Sequence, residues 1–129
     1  MPAKKATFSP EEFDKVLALA KAEGRPVLID FFADWCAACK ELDRETYPAP
    51  EVVSQAAEGR FLNIKIDATN SEDALDALLE RFGVEGLPTV AFVSPQGEVL
   101  TKPRITGFLK PSPFVEQMKQ ARCTAGAAC

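Results

Sequence analysis

The chain of 129 residues carries four cysteines, no histidine and a formal net charge of −4, with a pI near 4.9. The lack of histidine excludes a Ser-His-Asp triad, a Cys-His protease pair and a His-ligated metal, and the acidic balance without a Lys/Arg-rich block argues against a nucleic-acid partner. At 47% hydrophobic and 26% charged, it reads as one globular domain with a real core, and its apolar runs are too short to span a membrane.

In chain order, Ser9 reads as an N-cap, with Pro10 at the first helical position and Glu12 closing a capping box. Phe13, Val16, Leu17 and Ala20 then form one apolar face, and Gly24 ends the helix. Pro26 to Ala33 (PVLIDFFA) reads as a strand buried on both faces, interrupted only by Asp30. From Cys36 to about Tyr47 the residues favour a helix that Pro48 and Pro50 break, and Val52 to Ala57 add a turn or two. Phe61 to Asp67 alternates as a strand. Leu75, Leu78, Leu79 and Phe82 mark a further amphipathic helix, stopped by Gly83. TVAFVS, PQG and EVL predict a hairpin whose second arm is interrupted at Pro103 and resumes at Ile105. Ser112-Pro113 caps a last helix to about Arg122.

That order predicts an α/β domain over residues 1–122, with a mixed central sheet flanked by helices on both faces. The helices between the early strands predict parallel crossovers, and the Pro95-Gln96-Gly97 turn an antiparallel pair. Residues 123–129 read as a flexible tail holding Cys123 and Cys129, to which no function is assigned. The first 25 residues lack the apolar core of a secretory signal, so nothing in the chain itself is expected to export it.

The chemistry concentrates in ADWCAACK, residues 33–40. Cys36 falls where a strand ends and a helix begins, so its sulfur faces unpaired N–H groups and the positive end of the helix dipole. A thiolate there is stabilised and can attack a disulfide. Cys39, one turn later, is placed to attack the mixed disulfide and release the substrate. The alternatives are a zinc half-site and inert thiols. Zinc would need Cys123 and Cys129 as further ligands, a poor spacing, so redox chemistry is favoured and no metal is expected. Asp30 in an apolar strand points to function, against a solvent-side acid on an edge strand. Asp43 stands open between a site role and a solvated helix face. Asp30, Asp34 and Asp43 disfavour a thiolate, whereas Lys40 and the helix dipole favour it. The expected balance is a reducing couple.

Trp35-Cys36-Ala37-Ala38-Cys39-Lys40, following a strand that carries Asp30, resembles thioredoxin, and Leu87-Pro88-Thr89 resembles that family's cis-proline loop. Ala33-Asp34-Trp35-Cys36, Ala38-Cys39-Lys40-Glu41, Gly86-Leu87-Pro88-Thr89 and Arg104 to Phe108 (RITGF) are more similar to the C-terminal thioredoxin-like domain of DsbD-type thiol:disulfide interchange proteins. The likeness covers roughly residues 8 to 120. The Ala-Ala dipeptide between the cysteines departs from ordinary thioredoxin.

The resemblance implies a thioredoxin fold and a protein-disulfide reductase with no cofactor beyond the Cys36–Cys39 disulfide. It implies that Asp30 assists proton transfer during resolution, with Asp43 as a second acid. It places a cis Pro88 loop against the cysteines, where the backbone of Leu87 offers strand-like hydrogen bonds to an extended substrate. Trp35, Leu87 and Phe108, with Gly107 permitting close approach, would form an apolar platform around the sulfurs. Expected partners are disulfide-containing or thiol proteins and a membrane electron-donor domain, met by a monomer. The expected location is the periplasm, as a domain of or partner to an inner-membrane protein. A cytoplasmic general thioredoxin and a peptide-binding or chaperone-type module with little turnover are the alternatives.

Overall fold

The computed structural model describes residues 6–7, 10–70 and 72–123. In chain order its elements are β1 (Ala6–Thr7), α1 (Pro10–Glu23), β2 (Val27–Phe32), α2 (Ala37–Glu41), a π-helical turn (Leu42–Thr46), α3 (Pro50–Glu58), β3 (Leu62–Asp67), α4 (Asp73–Arg81), β4 (Thr89–Val93), β5 (Ile105–Thr106) and α5 (Pro111–Cys123). The five strands form one sheet in the order β1-β3-β2-β4-β5. β3 runs parallel to β1 and β2, whereas β4 is antiparallel to β2 and β5 to β4. The mixed sheet is as expected. The parallel crossover holds for β2 to β3 but not for β4, which enters the far side of β2 in the opposite sense.

β2 lies at the centre because both of its faces are apolar. Leu28 joins Val90 and Phe92 in a core closed by Leu42, Tyr47, Val52, Phe114 and Met118, from the π-turn region, α3 and α5. Val27, Ile29 and Phe31 point to the other side, where Phe13 of α1 and Leu75 and Leu78 of α4 cover them. Each such side chain taken fully out of water contributes about 1.5–3 kcal/mol. On the first of these faces, between Leu28 and Phe32, stands Asp30.

Four elements differ from expectation. The helix after Cys36 stops at Glu41 and continues as a π turn. α3 is a full nine-residue helix with Pro50 at its start, because Val52 and Ala56 both reach the core. EVL returns antiparallel to β4 but is not a full strand: it makes a single bridge, Val93 to Val99, flanked by Ser94 N–H to Glu98 O and Leu100 N–H to Phe92 O. The arm breaks before Pro103, which has no N–H to donate, and resumes, as expected, at Ile105–Thr106 beside β4. Cys123 closes α5 and is not part of a separate tail, while Cys129 and the Ser9 cap lie outside the described residues.

Candidate active site

Cys36 and Cys39 are joined by a disulfide, with their Cα atoms 5.3 Å apart. Cys36 is the N-cap of α2, in extended backbone, and its sulfur accepts the Cys39 N–H at 3.1 Å. That bond satisfies one of the orphan donors of the helix start. Cys36 N–H donates to Ala33 O at 3.2 Å, tightening the turn out of β2. Both sulfurs are buried among Ala33, Phe32, Ala38 and Leu87, so the sequence-predicted pair and the loop residue Leu87 do meet.

Asp30 is 1% exposed. It lies two residues before Phe32 on the same face of β2, and Phe32 packs on the disulfide. Its strand neighbours are Val90 of β4 and Lys65 of β3. The Lys65 ammonium is 2.9 Å from the Asp43 carboxylate and 4.3 Å from the centre of the Phe32 ring. Asp43, on the π turn, thus meets Lys65, so its charge is largely offset by that ammonium. Tyr47 follows the turn, and burial pushes its phenol well above the usual range, with further rises from the Asp30 and Asp43 charges.

The rim is made by separate loops. Trp35 is 69% exposed, and its indole N–H donates to Thr69 O at 3.5 Å. Thr69 Oγ1 also accepts the Asp34 N–H at 2.9 Å, and Asp67 holds the Thr69 backbone. Across from this turn, the Leu87-Pro88 bond is cis. The Gly107 N–H donates to Pro88 O at 3.1 Å, which ties the RITGF stretch to that loop. Gly107 has φ +89 with open space where a side chain would stand, a conformation that favours glycine. A groove of about 520 Å³ runs along Gly86, Leu87, Pro88, Thr89, Arg104 and Gly107. Phe108 is placed differently: it packs partly against the core of Leu28, Tyr47 and Phe114.

Sequence reasoning missed Lys65, Tyr47 and Thr69. The alternation of FLNIKID contained a signal for Lys65, since a parallel neighbour of β2 must set one of its residues beside Asp30. Nothing local marked Tyr47, because its direction depends on the π turn.

The sequence model of the family described as thioredoxin-like domain matches residues 13–122. The thiol:disulfide interchange protein DsbD of Yersinia pestis is 41% identical over 101 residues, which are 78% of this chain and 17% of that protein. The chain therefore spans about a sixth of the length of the curated relatives it matches. Among solved structures, the oxidised C-terminal domain of Neisseria meningitidis DsbD is similar with a TM-score of 0.79 and 33% identity, covering 91% of this chain and 100% of that one. A Thermus thermophilus thioredoxin gives 0.74 and 26%, covering 100% of this chain and 93% of that one.

Proposed function

The chain belongs to the thioredoxin-like family, and from that premise we propose that it is a protein-disulfide reductase of the DsbD C-terminal type. The observation that carries this reading is the bridged pair Cys36–Cys39 at the start of α2, packed against Leu87, with Asp30 buried on the strand that leads into it. In the reduced chain, the Cys36 thiolate attacks one sulfur of a substrate disulfide, and the other substrate sulfur leaves as a thiolate. Asp30 takes the proton of the Cys39 thiol. The resulting thiolate attacks the Cys36 sulfur, the second substrate sulfur departs with the electron pair and takes up a proton, and the pair ends oxidised, as in this structure. A dithiol donor returns the two electrons.

The substrate is an extended segment of a protein, lying along the groove beside Leu87 and Pro88 with Trp35 on its other side. The same resemblance supports a periplasmic setting, in which a membrane domain supplies electrons and thiol proteins receive them. No helix among the described residues is long and apolar enough to cross a membrane. The test is the reduction potential of Cys36–Cys39 with Cys123 and Cys129 replaced by serine. A value at or below about −270 mV supports a reductase, and one near about −120 mV makes the protein an oxidant.

A further inference from the structure

We propose that Arg104 is a specificity-determining residue of the substrate groove: its guanidinium pairs with an acidic side chain close to the attacked disulfide, and so selects substrate segments that carry one. The inference rests on the proposed reductase reading and adds to it the charge of the preferred substrate.

Arg104 stands just before β5, an edge strand of the sheet, and is only partly buried. It lines the groove of about 520 Å³ together with Leu87 and Pro88, and Leu87 packs against the two cysteines. Two carbonyl groups hold the guanidinium in place. Nη1 donates to Phe82 O, at the C-cap of α4, and Nη2 donates to Leu100 O at 3.5 Å. Gly83 beside it leaves room, since a Cβ there would stand 3.5 Å from Nη1.

What this setting does not supply is an anion. Arg104 makes no ion pair with a carboxylate among the described residues, and its buried Nε has no hydrogen-bond partner. A guanidinium offers five N–H donors, and the carbonyls of Phe82 and Leu100 leave most of them over. The C-terminal end of α4 carries roughly half a negative charge, which offsets part of the positive charge and not the whole. Glu85 also lines the groove, but it is exposed and not paired with Arg104. The hydroxyl of Thr89, a further donor on the groove wall, already donates to Gly86 O at 2.6 Å. A carboxylate on the substrate is the complement that remains, because a planar guanidinium held at a fixed angle grips it through two parallel hydrogen bonds. Partial burial strengthens such a pair over a fully exposed one.

The experiment uses synthetic peptides that each contain one disulfide and differ by a single residue, Asp or Asn, placed in turn at the positions on either side of one cysteine. Reduction by the wild-type chain should show a position at which kcat/KM is about five-fold higher for the Asp peptide. In Arg104→Gln that preference should be lost, and in Arg104→Lys, which keeps the charge without the fork, it should be intermediate. Equal rates for Asp and Asn at every position in the wild type overturn the proposal. An Arg104 that only supports the fold would slow both peptides together in Arg104→Gln and leave the preference intact, which overturns it equally. If Arg104→Gln does not fold, a measurement on the unaltered side chain decides. The oxidised wild-type chain is titrated with peptides whose cysteines are replaced by serine, and the Arg104 Nε–H resonance is followed by NMR. It should shift with the Asp peptide and not with the Asn peptide, and the same response to both overturns the proposal. This titration involves no turnover, so the two readings fail separately. A chain that reduces none of the peptides would overturn the reductase reading, while an Asp-specific shift would still support the Arg104 site.

Discussion

Lys65 Nζ stands 2.9 Å from Asp43 Oδ2, and Lys65 is the backbone partner of Asp30 across the β2–β3 ladder. One residue thus pairs with one acid of the site, neighbours the other along the sheet, and packs its ammonium over Phe32, which packs against the cysteine cluster. Removing that cation leaves the negative charge of Asp43 without its partner. Lys65→Met is therefore expected to slow attack of the reduced protein on a negatively charged disulfide by about two- to three-fold at low salt, and Asp43→Asn to speed it similarly. High salt should shrink the second effect more, because Asp43 is half-exposed and screened. Rates unchanged in both variants would remove the pair from the electrostatics of the site.

Tyr47 is the only tyrosine in the chain, so phenolate absorbance reports it alone. Its phenol is raised by burial first and by Asp30 second. The folded protein should show no phenolate signal at about pH 10, where a free tyrosine is half ionised. The elevated value adds stability that is fully present below about pH 10 and is lost as the pH rises through the folded midpoint. Wild type should accordingly lose more stability than Tyr47→Phe between about pH 9 and pH 11. Denaturant melts at the two pH values check the sign, and equal losses would contradict it.

The legible parts of the sequence were those in which one residue carries its own reason. Asp30 in an apolar strand, Cys36 and Cys39 flanking two alanines at a strand-to-helix junction, and Gly24 after a periodic helix could each be read locally. Leu87 was legible through a motif, and it does pack on the disulfide. What was hidden depends on distant partners. The ion pair of Asp43 needs the β3 register, and Tyr47 turns inward only because Leu42–Thr46 is π-helical. Phe108 was expected beside the sulfurs, whereas it packs, partly buried, against the core that holds Leu28, Tyr47 and Phe114. The EVL arm pairs with β4 through a single bridge only, and the break at Pro103 with a return at Ile105 was legible in the proline itself.

Trp35 is exposed, with the Asp34-Trp35 turn pinned to Thr69. Exposed side chains away from caps and cores change stability by about 0.5 kcal/mol or less. Trp35→Ala should therefore leave the melting curve nearly unchanged while slowing reduction of a protein disulfide several-fold. Reduction of a small aliphatic disulfide, which needs little platform, should be much less affected. Equal losses on both substrates would show that Trp35 acts on the sulfurs themselves.

The two-step chemistry makes Asp30→Asn informative, because the first attack by Cys36 needs no proton from Cys39 and the second does. Asn has nearly the same shape as Asp, so the fold should survive. It cannot take a proton at neutral pH. General-base assistance contributes about 10²–10⁴-fold, and burial of Asp30 keeps solvent hydroxide from replacing it readily. Single-turnover reduction of a protein disulfide should therefore show formation of the Cys36 mixed disulfide within a few-fold of wild type and its decay slowed by about 10²-fold or more. Acid-quenched samples would contain the covalent complex, as they would for Cys39→Ser, where the second attack is lost altogether. If the mixed disulfide instead forms slowly and never accumulates, Asp30 governs the thiolate of Cys36, and its assignment moves from the resolving step to the attacking one.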